Sequence, residues 1–220
     1  MAWVSGAWLR SPKHAAKRIS RAFGTAGPRV TQDRSRGNLI TIAPATDELH
    51  SASFVGPIHG LGDTNMGWAH TAAELHGQLP HVKFILPNAP VAPVTLNGGM
   101  AMPSWYDITS LTDRAKQPCT GIDESRTAIE ALINEEVALG ISADRIVVGG
   151  FSQGGAMALA TGLQYPSTLA GVCVMSGYLA KADSFRLSPG AVNTPVAHFH
   201  GTIDPVVKIE WARETARVLN

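Results

Sequence analysis

Arg145-Ile-Val-Val-Gly-Gly-Phe-Ser-Gln-Gly-Gly-Ala-Met-Ala-Leu-Ala160 decides how this chain is read. An apolar, β-branched run enters Gly150-Phe-Ser-Gln-Gly154, and a run of small residues suited to a helix leaves it. The pattern G-x-S-x-G between a strand and a helix is that of an elbow lifting a nucleophilic serine, here Ser152. The chemistry accounts for the glycines. A serine held on a tight, strained turn needs neighbours without side chains where strand and helix cross. The helix N-terminus beneath it offers backbone N–H groups and a positive dipole end to a developing oxyanion. An ordinary strand-to-helix turn is the bland alternative. A dinucleotide fold fits poorly, because the glycines are not spaced G-x-G-x-x-G.

Outward from the elbow, strand and helix patterns alternate. Leu39–Ala43, Ser53–Ile58, Val82–Leu86, Leu169–Met175 and Pro195–Phe199 read as further strands. Trp68–Gln78, Ile122–Leu139, the run from the elbow to Tyr165, and 206–219 read as helices. In the second of these, Ile122, Ile129, Leu132, Ile133 and Val137 follow a helical period, and Gly140 is a stop signal. Pro87–Ile108 reads as a long loop rich in Pro, Gly and Met. Such alternation predicts an α/β domain with a mainly parallel sheet and helices on both faces. Ligands bind beyond the carboxyl ends of strands in such sheets, where His59, Ser152 and the 200–204 loop all fall. Gly56-Pro57 is an oddity for an interior strand, since proline removes a ladder hydrogen bond.

Composition narrows the classes. A chain of 220 residues suits one domain, and its two cysteines suggest no disulfide framework. No apolar run reaches the length of a membrane span. The net charge of +1 hides an asymmetry: six Lys or Arg precede Asp33, the first acid, whereas residues 39–220 hold ten basic and sixteen acidic residues. Residues 1–37 are therefore expected outside the packed domain, as an organellar transit-like segment or a disordered extension, with 38–220 as the domain. Nucleic-acid binding is disfavoured, because no motif or aromatic platform accompanies the basic end.

A serine hydroxyl needs a base, and the base an orienting group. After an elbow of this kind the acid and then the histidine follow in the chain. Asp204, in the loop after an apolar strand, is the acid candidate, although an aspartate before proline also suits a plain turn. Asp63 precedes the serine and reads as support for its own loop. The oxyanion donors expected are the N–H of Gln153 and an N–H from the earlier loop His59-Gly-Leu-Gly-Asp63, that of Leu61.

Five segments then carry a resemblance. His59-Gly-Leu-Gly-Asp-Thr64, Pro87-Asn-Ala-Pro-Val-Ala-Pro-Val-Thr-Leu-Asn97, Met102-Pro-Ser-Trp-Tyr-Asp107, Gly150-Phe-Ser-Gln-Gly-Gly155 and His200-Gly-Thr-Ile-Asp-Pro-Val-Val207 stand in order over most of the chain. Together they resemble the acyl-protein thioesterases and the small carboxylesterases and lysophospholipases of the α/β-hydrolase superfamily. The resemblance implies an α/β-hydrolase fold, with Ser152 as nucleophile, Asp204 as orienting acid, and Leu61 and Gln153 as oxyanion donors. It also implies that Trp105 and the 88–104 loop line an acyl groove, with a packed core aromatic as the plainer reading of Trp105. It implies no metal or cofactor, acylated proteins or lipid esters as substrates, transient contact with a membrane surface at most, and a cytoplasmic setting.

One departure stands out. The resemblance places the catalytic histidine a few tens of residues after the acid, yet none of the eight histidines follows Asp204. His200 precedes it, and His59 belongs to the oxyanion loop. The chain is expected to lack a C-terminal strand and helix, leaving the 195–199 strand as an uncovered edge. Two readings stay open: a serine hydrolase of esters and thioesters, or an impaired homologue that binds acyl chains or a partner.

Overall fold

In a computed structural model, residues 27–112 and 117–220 are described. A seven-stranded sheet is built from β1 (Arg29–Asp33), β2 (Leu39–Ala43), β3 (Ala52–Ile58), β4 (Val82–Leu86), β7 (Ile146–Phe151), β8 (Gly171–Met175) and β9 (Val196–Phe199). Its order is β1-β2-β4-β3-β7-β8-β9. β1 and β2 run antiparallel to their neighbours, and β4, β3, β7, β8 and β9 pair in parallel. The helices are α1 (Met66–Gln78), α2 (Ile122–Ala138), α3 (Gln153–Gly162) and α4 (Ile209–Leu219).

Period-two alternation splits the strands between two cores. Leu39, Val55, Ile85, Ile146, Val148, Val172 and Val174 pack with Ile129 and Ile133 of α2 and Met157 and Leu159 of α3. Their neighbours Ile40, Ile42, Phe84 and Leu86 pack with Ala72, Trp68 and Ala69 of α1. Strands buried on both faces read as continuous apolar runs, as Ile146-Val-Val148 does. All ten residues of α3 are buried, which explains why its sequence is almost entirely small and apolar.

Three differences from the sequence reading are informative. The expected boundary at residue 38 is too late, because β1 is an edge strand paired with β2 along its whole length. β1 is polar and mostly exposed, so no alternation betrays it. Backbone ladder bonds, a Thr31–Thr41 hydroxyl pair at 2.6 Å and the Arg29–Asp47 ion pair hold it. The expectation for residues 1–26 lies outside the described residues. Second, the 87–108 loop contains a hairpin, β5 (Val91–Val94) and β6 (Met100–Pro103). Third, Pro57 is tolerated because the β3–β7 register is already interrupted between Val55 and Ile58.

One buried charge ties the layers together. Glu136 of α2 is 1% exposed. It accepts hydrogen bonds from Ser53 Oγ of β3 and Lys83 Nζ of β4, both at 2.6 Å, and lies 3.2 Å from His50 Nε2. Burial opposes its charge, but His50, Lys83 and Ser53 outweigh that and bring its pKa from 4.5 down to about 2. A carboxyl depressed on folding stabilises the native state above its unfolded pKa, and that contribution disappears as pH falls from about 4.5 through about 2. Glu136→Gln should cost about 3 kcal/mol at neutral pH. It should also flatten the acid limb of the stability curve below about pH 4.5, read by urea denaturation across pH. An unchanged acid limb would contradict the assignment.

Candidate active site

Ser152 sits between β7 and α3 with φ 54° and ψ −118°. A non-glycine residue held there stores strain, and strain of that kind persists only where surrounding structure enforces it. The enforcement is visible. Ser152 N–H donates to Met175 O at 2.9 Å, and its carbonyl accepts from Ala156 N–H at 3.1 Å. A Cβ on Gly150 would lie 2.3 Å from Gly154 O, and a Cβ on Gly154 would lie 2.0 Å from Ile58 O. Both glycines are therefore required by close backbone approach, as the motif implied.

The 59–63 loop is brought against the elbow. A Cβ on Gly60 would stand 3.5 Å from Ser152 Cβ. Gln153 opens α3, so its N–H is among the first-turn donors without an intrahelical acceptor. Leu61 N–H finds no acceptor among the described residues. Ser152, Gln153, Gly60, Leu61 and Asp63 together line a cleft of about 280 Å³, closed by Leu96, Ile108, Leu111, Phe151 and Val206. A larger cleft of about 460 Å³ lies at Ile122, Arg126, Gln164 and Leu187, and no residue of the elbow reaches it.

Asp204 lies in the loop between β9 and α4, beside the end of β8. Its Oδ1 accepts from Val206 N–H at 3.0 Å and Val207 N–H at 2.9 Å, so it does close a turn. Burial works against its charge, but the Val207 and Val206 N–H groups, the Ser176 hydroxyl and His200 prevail and hold its carboxyl below the usual range. Val206 joins this turn to the cleft wall. Ser176, which shares Asp204, carried no signal in the sequence beyond its place at a strand end.

The histidines are committed elsewhere. His59 is fully buried. Its Nε2 accepts the Ala89 N–H at 3.0 Å, so the ring proton sits on Nδ1 and is donated to Gly60 O at 2.8 Å. Burial lowers its pKa, against the pull of Gly60 O and Asp63. His200 donates from Nε2 to Val207 O at 2.6 Å. His198 is pushed down to about 4, first by burial and then by His200. Among the described residues, no histidine lines the cleft.

Trp105 is not a groove residue. It is 2% exposed, and its indole Nε1–H donates to His59 O at 2.9 Å. The aromatic expected to line an acyl groove is packed in the core behind the 59–63 loop. The apolar lining comes instead from Leu61, Leu96, Ile108, Leu111, Phe151 and Val206. No period marks these residues in the sequence, because they come from separate parts of the chain.

An elbow serine at +φ, at the carboxyl end of a central parallel strand and above a helix N-terminus, defines a serine hydrolase of the α/β-hydrolase fold. Residues 48–220 match the phospholipase/carboxylesterase family. Acyl-protein thioesterase 1 of Schizosaccharomyces pombe is 41% identical over 184 residues, covering 83% of this chain and 80% of that protein. The Yarrowia lipolytica acyl-protein thioesterase 1 is 44% identical over 169 residues, 74% of each. Among solved structures, Zea mays acyl-protein thioesterase 2 is similar at TM-score 0.71 and 30% identity, over 82% of this chain and 83% of that one. Arabidopsis thaliana SOBER1 is similar at TM-score 0.69 and 31% identity, over 76% and 82%. The chain belongs to the phospholipase/carboxylesterase family.

The elbow geometry makes a prediction. Gly154→Ala should cost about 2–3 kcal/mol, because a Cβ cannot fit against backbone. It should also abolish fluorophosphonate labelling of Ser152. Gly77→Ala is the control: its Cβ meets nothing within 4 Å in α1. It should stabilise the protein by up to about 1 kcal/mol. Equal stability of the two variants would refute the steric account.

Proposed function

We propose that this chain hydrolyses carboxylic thioesters and esters of fatty acyl groups, with acyl-proteins as the foremost substrate class and lysophospholipid-type esters as the next. The observation that carries the proposal is the strained Ser152 above an apolar cleft. The names of the relatives support it. Ser152 Oγ attacks the acyl carbonyl and gives its proton to water. The C–S or C–O bond breaks, and the thiol or alcohol leaves after protonation by water. A second water hydrolyses the acyl-serine to the free acid and restores Ser152. The backbone N–H groups of Leu61 and Gln153 take the oxyanion, and the N-terminal end of α3 adds its dipole. Leu96, Ile108, Leu111, Phe151 and Val206 hold the acyl chain, because each methylene removed from water contributes about 0.8 kcal/mol. Asp204 supplies fixed negative charge to orient a base. A cytoplasmic place of action belongs to the same reading. No described helix is long and apolar enough to cross a membrane.

The described walls of the cleft carry no imidazole, so we expect slow turnover sustained by the oxyanion donors. Loss of one triad member leaves about 10³–10⁴-fold catalysis over water. Ser152→Ala should remove all hydrolysis of p-nitrophenyl and palmitoyl thioester substrates. Added imidazole should accelerate the parent chain beyond the imidazole-catalysed rate measured without protein, and Ser152→Ala should show that background rate alone. Rapid turnover without imidazole would show that a base has been overlooked. Leu111→Asp should raise KM for a palmitoyl substrate about tenfold and leave KM for an acetyl ester unchanged. Equal effects on both would remove Leu111 from the acyl site.

A further inference from the structure

Gln153 does two things at once. The residue borders the cleft beside Ser152, yet it is 1% exposed and its side chain bonds into the 104–106 segment. Its Oε1 accepts the Trp105 N–H at 3.0 Å. Its Nε2 donates to Tyr106 O at 2.7 Å and to Ser104 Oγ at 3.1 Å. Acceptor and both donor hydrogens are thus engaged. From that clamped segment the Trp105 indole reaches back to His59 O at 2.9 Å. The Pro103 carbonyl takes the Gly62 N–H at 2.8 Å. The His59 ring lies 5.1 Å from the Trp105 ring, with its two nitrogens tied to Gly60 O and Ala89 N–H.

Leu61 therefore lies in a frame. His59 before it is anchored to Trp105, within the segment that Gln153 grips, and Gly62 after it to Pro103, the residue next to that segment. We propose that Trp105 and the Gln153 side chain are positioning residues that set the separation of the two oxyanion donors. Gln153 supplies one donor from its backbone and locates the other through Trp105. The inference rests on the roles proposed above for Leu61 and Gln153. Two donors must converge on one oxygen at about 2.7–3.1 Å each, and misplacement by about 1 Å can cost a hundredfold in rate. Donors from distant parts of the chain cannot hold that tolerance by local geometry. A dry, fully bonded amide and indole can, because hydrogen bonds are strong and directional where water is excluded.

Trp105→Phe tests this, since it keeps a packed ring and deletes the indole N–H. Backbone hydrogen exchange of residues 59–63 should quicken. Per-site kcat, normalised by fluorophosphonate titration, should fall about ten- to a hundredfold, with KM within about twofold of the parent. Gln153→Glu, which keeps the acceptor for Trp105 N–H but sets a second oxygen against Tyr106 O, should give the same pattern should Trp105→Phe fail to fold. Unaltered exchange at 59–63 would overturn the proposal. So would faster exchange with unaltered per-site kcat, the mark of a purely structural contact. A rise in KM at constant kcat would overturn it in favour of direct substrate contact by Trp105. Exchange is read without substrate, so it decides the relay even in a parent that shows no hydrolysis. That last result would count against the proposed function instead.

Discussion

The close crossing of β7 and α3 is the constraint on which the rest of this structure depends. Gly150 and Gly154 let two backbones meet at a distance that no Cβ would survive. That approach forces the residue between them into positive φ and lifts the Ser152 side chain out of both elements. The same approach seats α3 over the centre of the sheet, where all of it is buried. The helix then has no polar face to offer, which leaves its N-terminus as its one chemically active feature.

Around this crossing the fold arranges layers of different stiffness. The parallel strands and α3 form a dry core in which every substitution is felt. Glu136 adds a buried charge whose three partners come from β3, β4 and the segment before them, so α2 is pinned in register as well as packed. The cleft itself is made mostly by loops around the end of β7 and the start of α3, and its apolar walls come from five places in the chain. Loops on a rigid scaffold are where binding residues usually gather.

Polar satisfaction orders the site in a second way. His59 and Trp105 look chemically eloquent in a sequence, yet both spend their hydrogen bonds inward. A buried donor without a partner costs about 1–3 kcal/mol, so the groups of a site loop that turn away from the cleft have to be bonded before the loop can be precise. The polar residues nearest the reaction are thus divided. The proposed mechanism leaves backbone N–H groups to the substrate, while the side-chain amide, indole and imidazole groups bond to the frame.

What the sequence determined by itself was everything that a short, contiguous pattern can encode. The elbow, the parallel α/β architecture, Ser152 as candidate nucleophile and the order of the motifs are all of that kind, since each follows from spacing within a few residues. The β1 strand was not legible, because its residues are held by ladder bonds and an ion pair rather than by an apolar face. The role of Trp105 was not legible either. Whether an aromatic after a polar loop lines a groove or supports one depends on which side of the loop the solvent lies, and only tertiary packing sets that. The same holds for His59: its ring nitrogens are silenced by Ala89 and Gly60, partners fixed by the folded loop and not by the letter at position 59.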